Sequence, residues 1–170
     1  MLVILIGKSG VGKSTLIRKL LETGKFMFPP SYTTRPKRLN DDKICINDTE
    51  FEHMLPEFIE YTVYNGYKYG RRQSDILKAK HTNMVIDLEP HGLSTYIEFC
   101  QEHDIDYITV YLKCTDDQIR LRRVIQDKDR SRIYRDDNYF DQFLFAYDIV
   151  IDVTRIPLEK IVNMIMEVTK

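Results

Sequence analysis

Leu2-Val3-Ile4-Leu5-Ile6, running straight into Gly7-Lys8-Ser9-Gly10-Val11-Gly12-Lys13-Ser14-Thr15, decides the fold. Five consecutive apolar residues read as a strand buried on both faces, which is the signature of a parallel sheet. The nine residues after them fit G-x-x-x-x-G-K-[ST]. Backbone N–H groups can wrap a phosphate chain only where no Cβ intrudes, so Gly10 and Gly12 let the loop close around it. A helix opening near Ser14 adds free N–H groups and the positive end of its dipole. Gly7, Lys8, Ser9, Gly10, Val11, Gly12, Lys13, Ser14 and Thr15 are therefore expected to cradle a nucleotide triphosphate. Lys13 reaches the β- and γ-phosphates, and the Ser14 hydroxyl ligates Mg²⁺. The plainer alternative is a glycine turn before an ordinary helix. A chance match of every fixed position between a strand and a helix is too rare to compete with the phosphate reading.

Outward from this loop, short apolar runs recur, each followed by a helical pattern. Residues 14–23 place Leu16, Ile17, Leu20 and Leu21 on one helix face. Met84-Val85-Ile86 precedes a helical stretch to about His103, with Leu93, Ile97 and Cys100 as its apolar positions. Residues 107–112 read as a strand before a basic helical stretch over 116–126, and residues 149–153 as another strand. Pro157 opens the last helix, where its missing N–H matters least, with Leu158, Ile161, Val162 and Ile165 at i, i+3, i+4, i+7. Strands alternating with helices predict an α/β fold: a parallel sheet with helices on both faces. Residues 29–80 break the rhythm. Pro29-Pro30 and Thr33-Thr34-Arg35-Pro36 read as extended chain, Phe58–Tyr64 as a strand, Asn65-Gly66 as a hairpin turn and Tyr67-Lys68-Tyr69 as the return. A small, mostly antiparallel subdomain inserted into a core of 1–28 and 81–170 is expected, with a basic lid at about 120–137.

The remaining composition sets bounds. A chain of 170 residues fits one such domain. With 25 Lys+Arg against 26 Asp+Glu, a general nucleic-acid coat and a polybasic membrane anchor are disfavoured, and neither nucleic acid nor membrane is expected as a partner. At 43% hydrophobic residues the chain has apolar material for a core. Cys45, Cys100 and Cys114 are odd in number and widely spaced, which suits a reduced compartment better than a disulfide scaffold. The leading apolar run is far shorter than the roughly 20 residues that span a bilayer. A cytoplasmic location is the expectation.

Three further groups carry chemistry. Asp87 closes the run Met84-Val85-Ile86, and ligands of open α/β sheets sit beyond the carboxyl ends of the strands. An acid there can hold a water of the Mg²⁺ shell, or it can simply cap the next helix. Glu89, two residues on, points to a similar region. Arg35 and Arg38 stand three apart in a stretch stiffened by proline and can fork onto one phosphate. The basic run containing Arg120, Arg122, Arg123, Lys128, Arg130, Arg132 and Arg135 suits neutralisation of a transferring phosphoryl group. Interleaved aspartates also allow it to be a solvated, mixed-charge surface. A GTPase switch is disfavoured, since N-K-x-D and D-x-x-G are both missing.

With these residues in place, the chain resembles the guanylate kinase family of nucleoside-monophosphate kinases. The resemblance rests on the phosphate loop and on Ser31-Tyr32-Thr33-Thr34-Arg35-Pro36-Lys37-Arg38. It continues with Phe58-Ile59-Glu60-Tyr61, Asn65-Gly66-Tyr67-Lys68-Tyr69-Gly70, Asp87-Leu88-Glu89-Pro90-His91-Gly92 and Ala146-Tyr147-Asp148-Ile149-Val150-Ile151, in order along nearly the whole chain. It implies a P-loop NTPase three-layer fold and transfer of the ATP γ-phosphoryl group to GMP or dGMP with Mg²⁺. It also implies that Arg35, Arg38 and Tyr69 grip the acceptor phosphate while Ser31 and Glu60 read the base. Guanine offers adjacent N1–H and N2–H donors that one carboxylate accepts together, whereas adenine presents a lone pair at N1.

Departures from the family pattern are specific. Arg71 stands where a base-touching Ser or Thr is usual, and arginine can still donate to guanine O6 and N7. Glu89 replaces the second acid of D-x-D. Residues 39–46 form a shortened loop, with Lys43 roughly where a phosphate-binding tyrosine is expected. In the lid, Arg122 matches the first of two arginines while Gln126 occupies the second place, leaving Arg130, Arg132 or Arg135 to substitute. Lys13, Arg122, Arg132 and Arg135 are the expected catalytic group, and Ser14 and Asp87 the metal-side pair. These departures keep another acceptor open, either a different or modified nucleotide or a ribose bisphosphate. A non-catalytic interaction module is a further alternative, against which the intact Lys13 and Ser14 weigh. A monomer or homodimer is expected.

Overall fold

Strand β1 (Leu2–Ile6) sorts its side chains by parity, as a strand buried on both faces must. Leu2, Ile4 and Ile6 enter one apolar cluster with Met84, Ile86, Leu93, Tyr96, Phe99 and Cys100. Val3 and Leu5 enter the other with Leu16, Ile17, Leu20, Val110, Leu112, Ile151, Ile161 and Ile165. These two clusters are the spaces between three layers. In this computed structural model the described residues are 1–37, 43–64, 66–116, 118, 121, 140 and 146–170.

The elements follow as α1 (Lys13–Glu22), β2 (Phe26–Met27), β3 (Ser31–Thr33), β4 (Lys43–Cys45), α2 (Asp48–Met54), β5 (Phe58–Tyr64), β6 (Tyr67–Arg72) and α3 (Gln73–Ile76). After these come β7 (Asn83–Asp87), α4 (Leu93–Glu102), β8 (Tyr107–Lys113), β9 (Ile149–Asp152) and α5 (Leu158–Val168). The main sheet has the order β2-β7-β1-β8-β9 and is parallel throughout. Helix α4 covers one face and α1 with α5 the other. The expected helix face of α1 needs one correction. Leu16, Ile17 and Leu20 are buried, but Leu21 is 37% exposed, because at 100° per residue it falls past the edge of the apolar stripe. Among the described residues no helix is long and apolar enough to cross a membrane, and Cys45, Cys100 and Cys114 are all free thiols.

A second sheet, β4-β3-β6-β5, lies between β2 and β7 in the chain. Its β3–β6 and β5–β6 pairs are antiparallel and its β3–β4 pair is parallel. Its own small core is Tyr32, Phe51 and Phe58, with the Phe51 and Phe58 rings 4.8 Å apart. Helix α2 starts at a capping box, in which Asn47 accepts from the Glu50 N–H and the Glu50 carboxylate accepts from the Asn47 N–H.

The far edge of the main sheet is tied by two carboxylates. Asp148 accepts from the Thr109 N–H at 2.8 Å and the Thr109 hydroxyl at 2.7 Å, fixing the entry to β9. Asp152, at its exit, accepts from the Thr154 hydroxyl at 2.5 Å and the Thr115 hydroxyl at 2.8 Å. The Thr154 and Thr115 hydrogen bonds hold its carboxyl down at about 2. A folded-state value below the unfolded one stabilises the fold above about pH 4, and that contribution fades as the pH falls toward 2. Asp152→Asn is therefore expected to melt earlier than wild type at pH 7. In calorimetric melts the gap should close between about pH 4 and pH 2; a gap independent of pH would show that ionisation of Asp152 is not what stabilises this corner.

Candidate active site

The phosphate loop follows β1 directly, and its conformation depends on its glycines. Gly10 and Gly12 have φ of 78° and 110°, a region that L side chains rarely enter. Gly12 is the cap of α1, so the free N–H groups of that helix open into the loop. The Lys13 ammonium lies across the loop, donating to the Gly7 carbonyl and, at 3.5 Å, to the Lys8 carbonyl. Ser14 and Thr15 are exposed in the first turn of α1.

Beside the loop stands Asp87, in register with Leu5 at the carboxyl end of β7. Burial works against its ionisation, but the charges of Arg71, Lys13 and Lys43 prevail and hold the carboxyl below its usual range. Lys43, singled out in the shortened loop, thus lies within electrostatic reach of Asp87. The ionised Asp87 carboxylate, within reach of the Lys13 charge, and the exposed Ser14 hydroxyl next to Lys13 in the chain offer hard oxygens, which suit Mg²⁺. No cluster of three His, Cys, Asp or Glu competes with them among the described residues. Glu89 is exposed just beyond, and its carbonyl accepts from the Gly92 N–H at 3.2 Å.

One face of the second sheet gathers several of the expected acceptor-binding residues. Tyr32 pairs with Gly70, and Gly70 with Tyr61. Ser31 and Arg71 each stand one residue from that row and so point to the opposite face, together with Thr33 and Tyr69. Glu60 joins them through a bulge. From Phe58 to Tyr61, β5 takes three steps while β6 takes two, from Arg72 to Gly70. Phe58 and Tyr61 consequently both turn toward Phe51 of α2, and Glu60 turns away from them, to the side of Arg71. Burial raises the Glu60 carboxyl above its ordinary value, opposed by the charges of His91 and Arg71.

Arg71 connects the two sheets. Its side chain is only 11% exposed, and its guanidinium donates to the Asp87 carboxylate at 3.1 Å and to the Asp87 carbonyl at 3.2 Å. The Phe28 ring lies beneath it, 5.5 Å from the guanidinium carbon. Expected beside a base, Arg71 is engaged with the carboxylate at the end of β7. Phe28 and Tyr96, which flank this pair, were not among the expected site residues, because nothing local in sequence ties them to position 71.

Other expected residues are placed as follows. Ser31 and Arg35 are buried; the Arg35 guanidinium donates to the Pro36 carbonyl at 3.1 Å, and the Arg35 backbone N–H donates to the Thr33 hydroxyl at 3.3 Å. Tyr69 is half-buried, edge-on to Tyr64 at 6.4 Å. Arg38, Arg122, Arg132 and Arg135, along with the rest of the expected lid apart from Leu121, lie outside the described residues.

A family model described as guanylate kinase matches residues 1–169. The guanylate kinase of Mycoplasma genitalium is 28% identical over 138 residues, covering 75% of this chain and 56% of that protein. The guanylate kinase of Schizosaccharomyces pombe is 34% identical over 101 residues, covering 54% of this chain and 50% of that protein. The chain thus spans about half the length of the curated relatives it matches. A crystal structure of guanylate kinase from Anaplasma phagocytophilum superposes with a TM-score of 0.68 at 20% identity, covering 99% of this chain and 84% of that one. That likeness shows a shared three-layer fold.

Proposed function

The chain belongs to the guanylate kinase family, and from that premise we propose that it transfers the γ-phosphoryl group of ATP to GMP or dGMP. The observation that carries the reading is the bulge in β5, which turns the Glu60 carboxylate onto the same face as Ser31, Tyr69 and Arg71. One acid and one hydroxyl on that face match the donor pair and the O6 acceptor of guanine. Through Arg71 the same face reaches Asp87, beside Lys13 and the phosphate loop. Acceptor and donor sites thus adjoin.

The loop N–H groups and Lys13 would hold the triphosphate, while Arg35, Arg38 and Tyr69 grip the acceptor phosphate. Ser14 and Asp87 would hold Mg²⁺ directly or through water. When bound, the ion neutralises charge on the phosphate oxygens. The protein's remaining work is alignment and exclusion of water, and the acceptor phosphate, already ionised, needs no general base. Arg122, Arg132 and Arg135 are the proposed source of positive charge on the transferring group. A division into a core of 1–28 and 81–170, an insert of about 29–80 and a lid of about 120–137 accompanies this reading, as does a cytoplasmic enzyme acting without nucleic acid, as monomer or homodimer.

The test is a panel of nucleoside monophosphates, ribo and deoxy, with ribose bisphosphate as outsider, each supplied with labelled Mg·ATP. GMP or dGMP should give the highest kcat/KM. Turnover of another acceptor with both guanine nucleotides inert would overturn the assignment.

A further inference from the structure

The turn Pro90–Gly92, between β7 and α4, runs against the bulge of β5. A Cβ placed on Gly92 would lie 2.2 Å from Glu60 Oε1 and 2.6 Å from both Glu60 Oε2 and Cδ. All three atoms of the carboxyl group are inside contact distance, so rotating that group about its last bond gives no relief. Backbone geometry does not ask for glycine at this position. Gly92 has φ −81° and ψ −9°, a conformation open to any L residue. What a side chain here would displace is the carboxylate resting on it.

Around Glu60 the neighbouring elements supply the Arg71 guanidinium from β6, the imidazole of His91 from the turn itself and the Tyr96 hydroxyl from α4. These groups set its charge environment, and the bulge above and the bare Cα below bound its position. We propose that Gly92 is a specificity-determining positioning residue: its missing side chain is the seat that fixes the Glu60 carboxylate where it meets the acceptor base. The proposal rests on the guanine-acceptor reading given above and extends it to a residue that never touches the substrate.

Glu60 is a flexible side chain, so an alanine at 92 displaces the carboxyl by about 1 Å without breaking the fold. Misplacement of that size in a reacting or binding group costs up to about 10²-fold. Calorimetric titrations of wild type and Gly92→Ala, with GMP and separately with Mg·ATP, make the test. GMP Kd should rise by about 10- to 100-fold in the variant, with Mg·ATP affinity unchanged. In a Glu60→Gln background the same substitution should add little, because two steps of one device do not multiply. Wild-type GMP affinity in Gly92→Ala, or effects of the two substitutions that multiply in full, would overturn the seat while leaving the acceptor assignment standing. A wild-type chain that binds no guanine nucleotide removes the acceptor assignment, and the seat's role in specificity with it. Should Gly92→Ala lose its cooperative melt, Glu60→Ala in the same chain removes the clash and should restore it; a double variant that still fails to fold also overturns the seat.

Discussion

Lys13→Ala is expected to lower kcat for phosphoryl transfer by about 10³-fold or more, with the melting temperature nearly unchanged. The ammonium sits across the loop on the carbonyls of Gly7 and Lys8, and its charge extends to Asp87. In the proposed reaction it would face the oxygens on which charge redistributes as the γ-phosphoryl group leaves. A fixed donor in that position acts most strongly in the transition state, where no solvent reorganisation is needed to supply the charge. Alanine, the best helix former, opens α1 at least as well as lysine, so loss of activity would not reflect loss of structure. Single-turnover rates at saturating Mg·ATP and GMP, beside a calorimetric melt, separate the two. A variant within tenfold of the wild-type rate would strip Lys13 of its role.

Glu60→Gln should lower kcat/KM for GMP by about 10²-fold, the order expected from losing one hydrogen bond to a charged group. Any turnover of AMP should hardly change. An amide oxygen accepts from one of the two guanine donors, and the amide N–H₂ opposes the other. A pH dependence goes with it. Burial raises the Glu60 carboxyl above the ordinary carboxylate range, with the positive charges of Arg71 and His91 pulling the other way. Guanine reading needs the ionised form, so GMP affinity should fall as the pH drops through that raised value, earlier than for a solvent-exposed acid. This acid limb should vanish in the glutamine variant. An unchanged GMP constant, or a limb that survives the substitution, would detach base reading from Glu60.

Both predictions come from parts of the chain that differ in how well sequence reveals them. The loop and β1 are legible because strand period, glycine spacing and helix start lie within fifteen residues and agree with one another. β7, β8, β9 and α5 are legible for the same reason, their apolar periods being local. The second sheet is only half legible. The β5–β6 hairpin announces itself through Asn65-Gly66, but β2 is two residues long and exists only by pairing with β7. Helix α2 carried a signal that was open to reading, the Asn47…Glu50 capping box. Glu60's orientation was hidden, since a bulge leaves no mark on residue type. Gly92 was hidden more deeply, because a glycine with ordinary dihedral angles produces no turn signal. The engagement of Arg71 with Asp87 was beyond reach, as it joins two sheets across sixteen positions and depends on how they dock.

That last contact has a mechanical meaning. The guanidinium travels with β6, whereas the carboxylate it neutralises is rooted in the central sheet. If the hairpin swings away, Asp87 loses the largest of its three positive neighbours and keeps the charges of Lys13 and Lys43, and Phe28 loses the cation above its ring. Jaw position and local field are then a single coordinate, so any ligand that draws the hairpin inward also retunes the electrostatic potential at the far end of β7.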